Sequence, residues 1–129
     1  MVYLFIEYYI KTIAKLLNKI KKRKNFNFNH KRPSISKEES ESIFQCILYM
    51  FLLEILAEEK YSSKSKNKII SYCLRNVKYN ERYKEVFILQ VVDYLTEFTE
   101  KEILIKKKTK SGNHRYSFNK SYYERIKND

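Results

Sequence analysis

The sequence predicts a mainly α-helical fold that carries a β-hairpin near its C-terminal end. One glycine and one proline in 129 residues leave few tight turns, which favours long helices over a many-stranded sheet. The longest apolar run, residues 43–57, is too long for one strand and too short to span a bilayer. The one glycine separates two short strand-like runs. With 43% hydrophobic residues, this length predicts one domain with a modest core.

Residues 1–24 predict an N-terminal amphipathic helix. Isoleucines and a leucine recur at spacings of three and four, and lysines occupy the other side. Three interpretations remain open: a helix docked on the core, a helix on a membrane surface, or a targeting segment. The basic run at residues 21–24 follows the apolar stretch, unlike in a secretory signal. The apolar positions are Ile6, Ile10, Ile13, Leu17 and Ile20.

Residues 25–36 predict a basic linker or arm. The stretch 21–32 reads KKRKNFNFNHKR and offers little to bury, which favours flexibility. Phe26 and Phe28 have two interpretations: they could stack on bases, or they could anchor the linker on the core.

The run at residues 43–57 predicts a helix buried on most sides, around which the rest packs. Ser36 and Glu39 fit a capping box that begins this helix. After a polar loop at residues 60–68, Ile69 to Val77 fit a short helix, which we favour, or a strand. Asn80 is expected to cap a further helix that runs to about Lys101.

The C-terminal part predicts the hairpin. The run ILIKKK at residues 103–108 and the run HRYSFN at 114–119 flank Gly112, where a hairpin needs positive φ. We expect Ile103 and Ile105 to share one face, as do Tyr116 and Phe118. A short helix closes the chain.

Three helices followed by a hairpin with a basic tip, over about residues 37–119, resemble a winged-helix DNA-binding domain. The resemblance implies a winged-helix-like three-helix core in a domain at residues 37–129, preceded by the N-terminal helix and the linker. It implies that the third helix, residues 80–101, enters the major groove and that the hairpin is a wing along the backbone or minor groove. Glu85, Asp93, Glu97 and Glu100 lie on that helix. Either the hairpin and arm alone touch nucleic acid, or the domain binds protein.

Charge placement predicts the partner. The net charge is +12, and the apolar helical segments 37–60 and 85–105 are each net −4, so the cations lie on the arm, links and hairpin. This favours DNA or RNA as a partner, held by phosphate contacts. The expected contacts are Lys21, Lys22, Arg23, Lys24, Lys31, Arg32, Lys106, Lys107, Lys108, Lys110 and Arg115.

A different class of function stays open: an adaptor or subunit of a larger, possibly ribonucleoprotein, assembly, whose many tyrosines face a protein partner. Binding to a membrane surface through residues 2–24 is a weaker alternative. We expect no enzyme, cofactor or metal, because the sequence lacks Gly-rich phosphate loops, zinc-ligand spacings and nucleophile motifs. Cys46 and Cys73 are expected to be buried thiols. The expected location is intracellular, in cytoplasm or nucleus.

Overall fold

The computed structural model describes residues 2–28 and 32–129, with side chains from residue 5 onward. The protein is mainly helical, with 66% of residues in helices and a small antiparallel sheet toward the C-terminus, which confirms the predicted class at this level. The elements in order are α1 (Val2–Lys24), α2 (Lys37–Glu58), β1 (Lys64–Ser65), α3 (Lys66–Asn76), a 3₁₀ turn (Glu81–Tyr83), α4 (Lys84–Glu100), β2 (Leu104–Lys108), β3 (His114–Phe118) and α5 (Lys120–Lys127).

Helix α2 is the centre of the core. Its apolar residues are buried on several faces, and it packs against α1, α3 and α4. Ser36 accepts a hydrogen bond from the Glu39 amide at 3.0 Å, so the predicted N-cap is present. By length and composition α2 could also cross a membrane, as can the core helices of many soluble proteins.

Helix α1 docks on the core only through its C-terminal half. Ile13, Leu16, Leu17 and Ile20 are buried there, as the docked interpretation requires. Ile6 and Ile10, which belong to the same predicted stripe, are instead exposed. The helix therefore extends past the body that covers its second half.

The segment after α1 is anchored, not free. Phe28 is buried, and Phe26 packs against the rings of Phe44 and Phe98, with centroid separations of 4.7 and 5.6 Å. The two phenylalanines therefore anchor the linker on the core, and the base-stacking interpretation does not fit their packing.

Residues 69–76 belong to helix α3, with Val77 as its C-cap, and the strand interpretation is wrong. The structure adds β1, a two-residue strand just before α3 that the sequence analysis missed. Asn80 accepts a hydrogen bond from the Arg82 amide, so it caps the 3₁₀ turn and α4 begins four residues later. The three strands lie in the order β1-β3-β2, with both neighbouring pairs antiparallel.

The hairpin is present at the predicted place, and Gly112 has φ +87° in its turn. The predicted facing of Ile103 and Ile105 is wrong, because the strand starts only at Leu104. Helix α4 ends at Glu100, and two residues later Glu102 has a left-handed conformation. The Ile103 amide then donates to the Phe98 carbonyl at 2.9 Å. This cap turns Ile103 inward, and the alternation then buries Leu104 and leaves Ile105 40% exposed.

Candidate nucleic-acid interface

Four predicted cations lie on the hairpin as free side chains. Lys106, Lys107, Lys108 and Lys110 are exposed, and none forms an ion pair with a residue in the described ranges. The register places Lys106 opposite Tyr116 and Lys108 opposite His114. Alternation along β2 then sends Lys107 to the other face, so the hairpin presents positive charge on both sides.

The N-terminal turn of α3 lies beside the hairpin tip. A concave surface of about 360 Å³ lies between them. Its lining residues are Ser65, Lys66, Asn67, Thr109, Ser111, Gly112, Asn113, His114 and Arg115. Ser65 caps α3 by accepting from the Lys68 amide at 3.2 Å. The partial positive charge of the helix N-terminus adds to that of the hairpin lysines.

His114 reports how closely these cations converge. Desolvation lowers the pKa of His114 below its ordinary value, and the positive charges of Lys106, Lys108 and Lys66 lower it further. Three lysines from two elements therefore act on one imidazole. The sequence analysis missed Lys66, because it assigned residues 60–68 to a loop. The pattern of Ser65 before an apolar helical repeat was the signal that could have placed it at a helix start.

Arg115 has a bracing role in this surface. Its guanidinium donates to the Ser63 hydroxyl and to the Ser63 carbonyl, both at 2.9 Å, and the side chain is half-buried. These bonds tie β3 to the residue before β1. Arg115 thereby holds the α3 N-terminus against the hairpin.

A buried ion pair fixes β1 in the same place. Lys64 is only 6% exposed and pairs with Glu54 of α2, which also accepts a hydrogen bond from Ser62. Desolvation raises the pKa of Glu54, but the hydrogen bonds from Lys64 and Ser62 outweigh it, so the pKa lies below its ordinary value of 4.5.

We expect Glu54→Gln to destabilise the fold by about 1–3 kcal/mol at pH 7, because it leaves the Lys64 charge buried without its partner. A lowered pKa stabilises the fold above pH 4.5, and this stabilisation is lost as the pH falls through the folded-state pKa. The difference between wild type and variant should therefore shrink between pH 5 and about pH 3. Urea unfolding at pH 7, 5 and 3 measures it. Glu58→Gln, which alters an exposed pair with Lys60, is the control. A pH-independent difference would contradict the assignment.

The predicted cations of the N-terminal arm are mostly engaged by the protein's own groups. Lys21 pairs with Glu41, and Arg23 pairs with Asp129. Arg32 donates twice to Asp93, at 2.9 and 3.1 Å. Paired guanidinium and ammonium groups have less free charge to offer a phosphate.

The other three arm cations differ from one another. The Lys24 ammonium lies 5.1 Å from the centroid of the Tyr122 ring, and Lys22 is exposed. Lys31 lies outside the described residues. The Lys24 carbonyl accepts a hydrogen bond from Lys101 at 3.1 Å, so the end of α1 lies by the end of α4. That point is near the base of the hairpin, about 14 Å from its tip along four strand residues. The arm and the hairpin tip therefore do not form one continuous cluster.

The outer face of α4 carries no cation between Lys84 and Lys101. Glu85 and Leu89 are exposed on it, and Leu89 is exposed by 45%. Ile88 and Val92 are half-buried beside them. This face is apolar and acidic, which disfavours close contact with phosphates.

The described residues contain no group of three or more histidine, cysteine, aspartate or glutamate side chains that could hold a metal ion. Cys73 is buried as expected, whereas Cys46 on α2 is only half-buried. The interaction between the two thiols lowers the pKa of Cys46, and the same interaction together with burial raises the pKa of Cys73. The two thiols thus belong to the α2–α3 contact.

Of the eleven tyrosines whose side chains are described, four are buried, five are half-buried and two are exposed. Tyr94, Tyr116, Tyr122 and Tyr123 are buried, while Tyr8 and Tyr83 are exposed.

The chain matches no family model, and comparison with curated proteins and with solved structures finds no significant similarity.

Proposed function

We propose that this protein is a small, non-enzymatic nucleic-acid-binding protein with a winged-helix-like domain, which holds phosphates through its lysine-rich hairpin. The order helix, short strand, two helices and hairpin supports the winged-helix assignment, as does the strand order β1-β3-β2. In this assignment α4 is the third helix and the hairpin is the wing.

The single observation that carries the proposal is the free positive charge around the hairpin tip. Lys108 lies opposite His114 on the hairpin, Lys106 lies on the same face of β2, and Lys66 lines the same concave surface as His114. Lys107 and Lys110 extend the charge to the other face and the turn. Like charges repel one another, so their convergence without acidic partners is favourable when a polyanion is present. Lysine ammonium groups bind phosphates as point charges, which suits contacts to a backbone.

The proposed binding is mainly to phosphates and tolerant of sequence. The acidic and apolar outer face of α4 does not suit base reading in a phosphate-lined groove. Cations lie only at the two ends of this helix, with Arg82 and Lys84 at its start and Lys101, which pairs with Glu97, after its end. We therefore expect the wing and the α3 N-terminus to supply most of the affinity.

A fluorescence anisotropy titration tests the proposal. The probes are a labelled 20-base-pair DNA duplex, the matching single strand and an RNA hairpin, each titrated from 50 to 300 mM salt. Five phosphate contacts predict a slope of about −4 to −5 in log K against log salt for the duplex. Because the proposed protein is not an enzyme, each nucleic-acid probe should be recovered uncleaved after the titration. A salt-independent affinity, or no binding at 50 mM salt, would refute the proposal.

A second candidate is a protein adaptor that docks through α4, and the exposed Leu89 beside Glu85 favours it. In that case Leu89→Asp should abolish capture of the partner while leaving binding to the DNA duplex unchanged. The variant therefore separates the two candidates within one chain. We place both in an intracellular setting.

A further inference from the structure

The apolar stripe of α1 continues beyond the body that buries its second half. Ile6 and Ile10 precede Ile13 by seven and three residues, so all three lie on nearly the same face of the helix. Ile13 is 1% exposed, whereas Ile6 is 47% and Ile10 is 49% exposed. The first half of α1, residues 2–11, is called the overhang below.

The overhang exposes a large apolar area for a protein of this size. Phe5 is 64% exposed and Tyr8 is 61% exposed, in addition to Ile6 and Ile10. Together these side chains present on the order of 400 Å² on two faces of the helix, because Phe5 and Tyr8 lie on a different face from Ile6 and Ile10. Two overhangs covered on both faces remove roughly 800 Å², and contacts to neighbouring surface bring the total toward the 1,200 Å² of a stable interface.

The neighbouring surface is a groove beside the overhang. It measures about 580 Å³ and runs between α1, the end of α2 and α5. Tyr8, Leu16, Leu56, Tyr61 and Tyr123 contribute apolar walls. The charged lining residues are four lysines and two glutamates: Lys15, Lys19, Lys120, Lys127, Glu59 and Glu124. The overhang projects past this groove, and the open corner between the two surfaces is called the step below. A second copy related by a two-fold axis presents the same step in the opposite orientation.

Charge favours a second copy as the occupant at this place. The chain carries +12, but its first ten residues contain only one charged side chain, Glu7. Two copies therefore repel one another least where their overhangs meet. In an antiparallel pair Glu7 can also approach Lys11 of the other copy, since both lie on one flank of the helix.

A bilayer fits this surface less well. The stripe faces the same side of α1 as the body does, because Ile13 and Ile20 of that stripe are buried against the core. A flat membrane cannot approach this side of a straight helix without meeting the body. A second helix can enter the step.

We propose that the protein forms a homodimer in which the two overhangs pack antiparallel. Ile6 and Ile10 form the centre of the interface, and Phe5 and Tyr8 face the partner's groove. The symmetric pair carries two lysine-rich hairpins on one particle. The dimer uses surfaces outside the hairpin and stands independently of nucleic-acid binding.

Analytical ultracentrifugation of the full chain from 1 to 200 μM tests the proposal. We expect a dimer with a dissociation constant in the micromolar range, given an interface near the lower limit for stable complexes. The double variant Ile6→Asp, Ile10→Asp should weaken the dimer by about a hundredfold or more, because it would bury charges in the interface. Leu89→Asp, an equally exposed apolar position on α4, is the matched control and should keep the dimer.

Salt distinguishes this proposal from the proposed function. Screening reduces the repulsion between two +12 chains, so dimerisation should strengthen between 50 and 300 mM salt while binding to DNA weakens. A monomer at all concentrations, or an unchanged dimer in the double variant, would overturn the proposal. So would a monomer that floats with anionic vesicles through the same two isoleucines, which would assign the overhang to lipid. Circular dichroism of the double variant at 1 μM checks that it folds.

Discussion

Replacing Lys106, Lys107 and Lys108 by glutamine is expected to weaken duplex DNA binding by about ten- to a hundredfold at 150 mM salt. The three side chains are exposed and have no acidic partner in the described parts of the chain, so no competing interaction reduces their attraction for phosphates. Glutamine keeps the length and polarity of the side chain and removes only the charge. Removing three phosphate contacts should also make the salt slope less steep by about three.

A matched triple variant separates local contacts from net charge. Lys37, Lys60 and Lys78 are also exposed, and their replacement by glutamine lowers the charge equally. This control should change the affinity by less than about threefold, because exposed charges more than a Debye length from the bound phosphates are screened. Equal losses in the two triple variants would show that only total charge matters, and would remove the hairpin from the proposed interface. An equal loss across several DNA sequences would indicate that the lysines position the chain without reading bases.

His114 gives a second measure at the same place. A bound phosphate among Lys66, Lys106 and Lys108 compensates the positive charges that lower the pKa of His114, so binding should raise that pKa. Titration of the imidazole by NMR, with and without the DNA duplex, detects the shift. An unchanged pKa in a saturated complex would place the phosphates elsewhere.

The elements that sequence analysis predicted well are those with a periodic or conformational signature. A central helix is the structure that buries the apolar side chains of residues 43–57 on several sides, and α2 is that helix. Gly112 is the one residue free to take positive φ without strain, and it lies in the hairpin turn. Ser36 caps α2 because its hydroxyl is suited to an unpaired amide at a helix start.

The elements that sequence analysis missed depend on contacts between distant parts of the chain. Strand β1 has only two residues, too few for a periodic pattern, and it exists because it pairs with β3 about fifty residues later. Which side chains of β2 point to the core depends on the left-handed conformation of Glu102. Because Glu102 is not a glycine, no sequence signal indicates this conformation. The cations of the arm were expected to bind phosphates, but Arg32 donates a hydrogen bond to Asp93, 61 residues later in the chain. Cation counts along a sequence therefore overestimate the charge that is free to bind.

Replacing Phe44 by alanine is expected to cost about 3–5 kcal/mol of folding free energy, the largest effect that we expect from a single substitution here. Phe44 is fully buried on α2, and its ring lies between the N-terminal arm and α4. The centroid separations are 4.7 Å to Phe26, 5.2 Å to Phe28 and 5.5 Å to Phe98. Alanine removes the ring around which these three rings pack, and the rigid surroundings cannot close the cavity.

The loss should lower the melting temperature by roughly 10–20 °C for a chain of this length, measured by circular dichroism. Leu89→Ala is the control, because a half-exposed leucine on the outer face of α4 should change stability by less than about 1 kcal/mol. The arm should also loosen in the Phe44→Ala variant, since Phe26 and Phe28 lose their shared partner, so limited trypsin should cut faster at Arg23 and Lys24. A small loss of stability with rapid cleavage would mean that the arm alone depends on Phe44. A large loss with unchanged cleavage in the folded state would mean that Phe98 suffices to hold the arm.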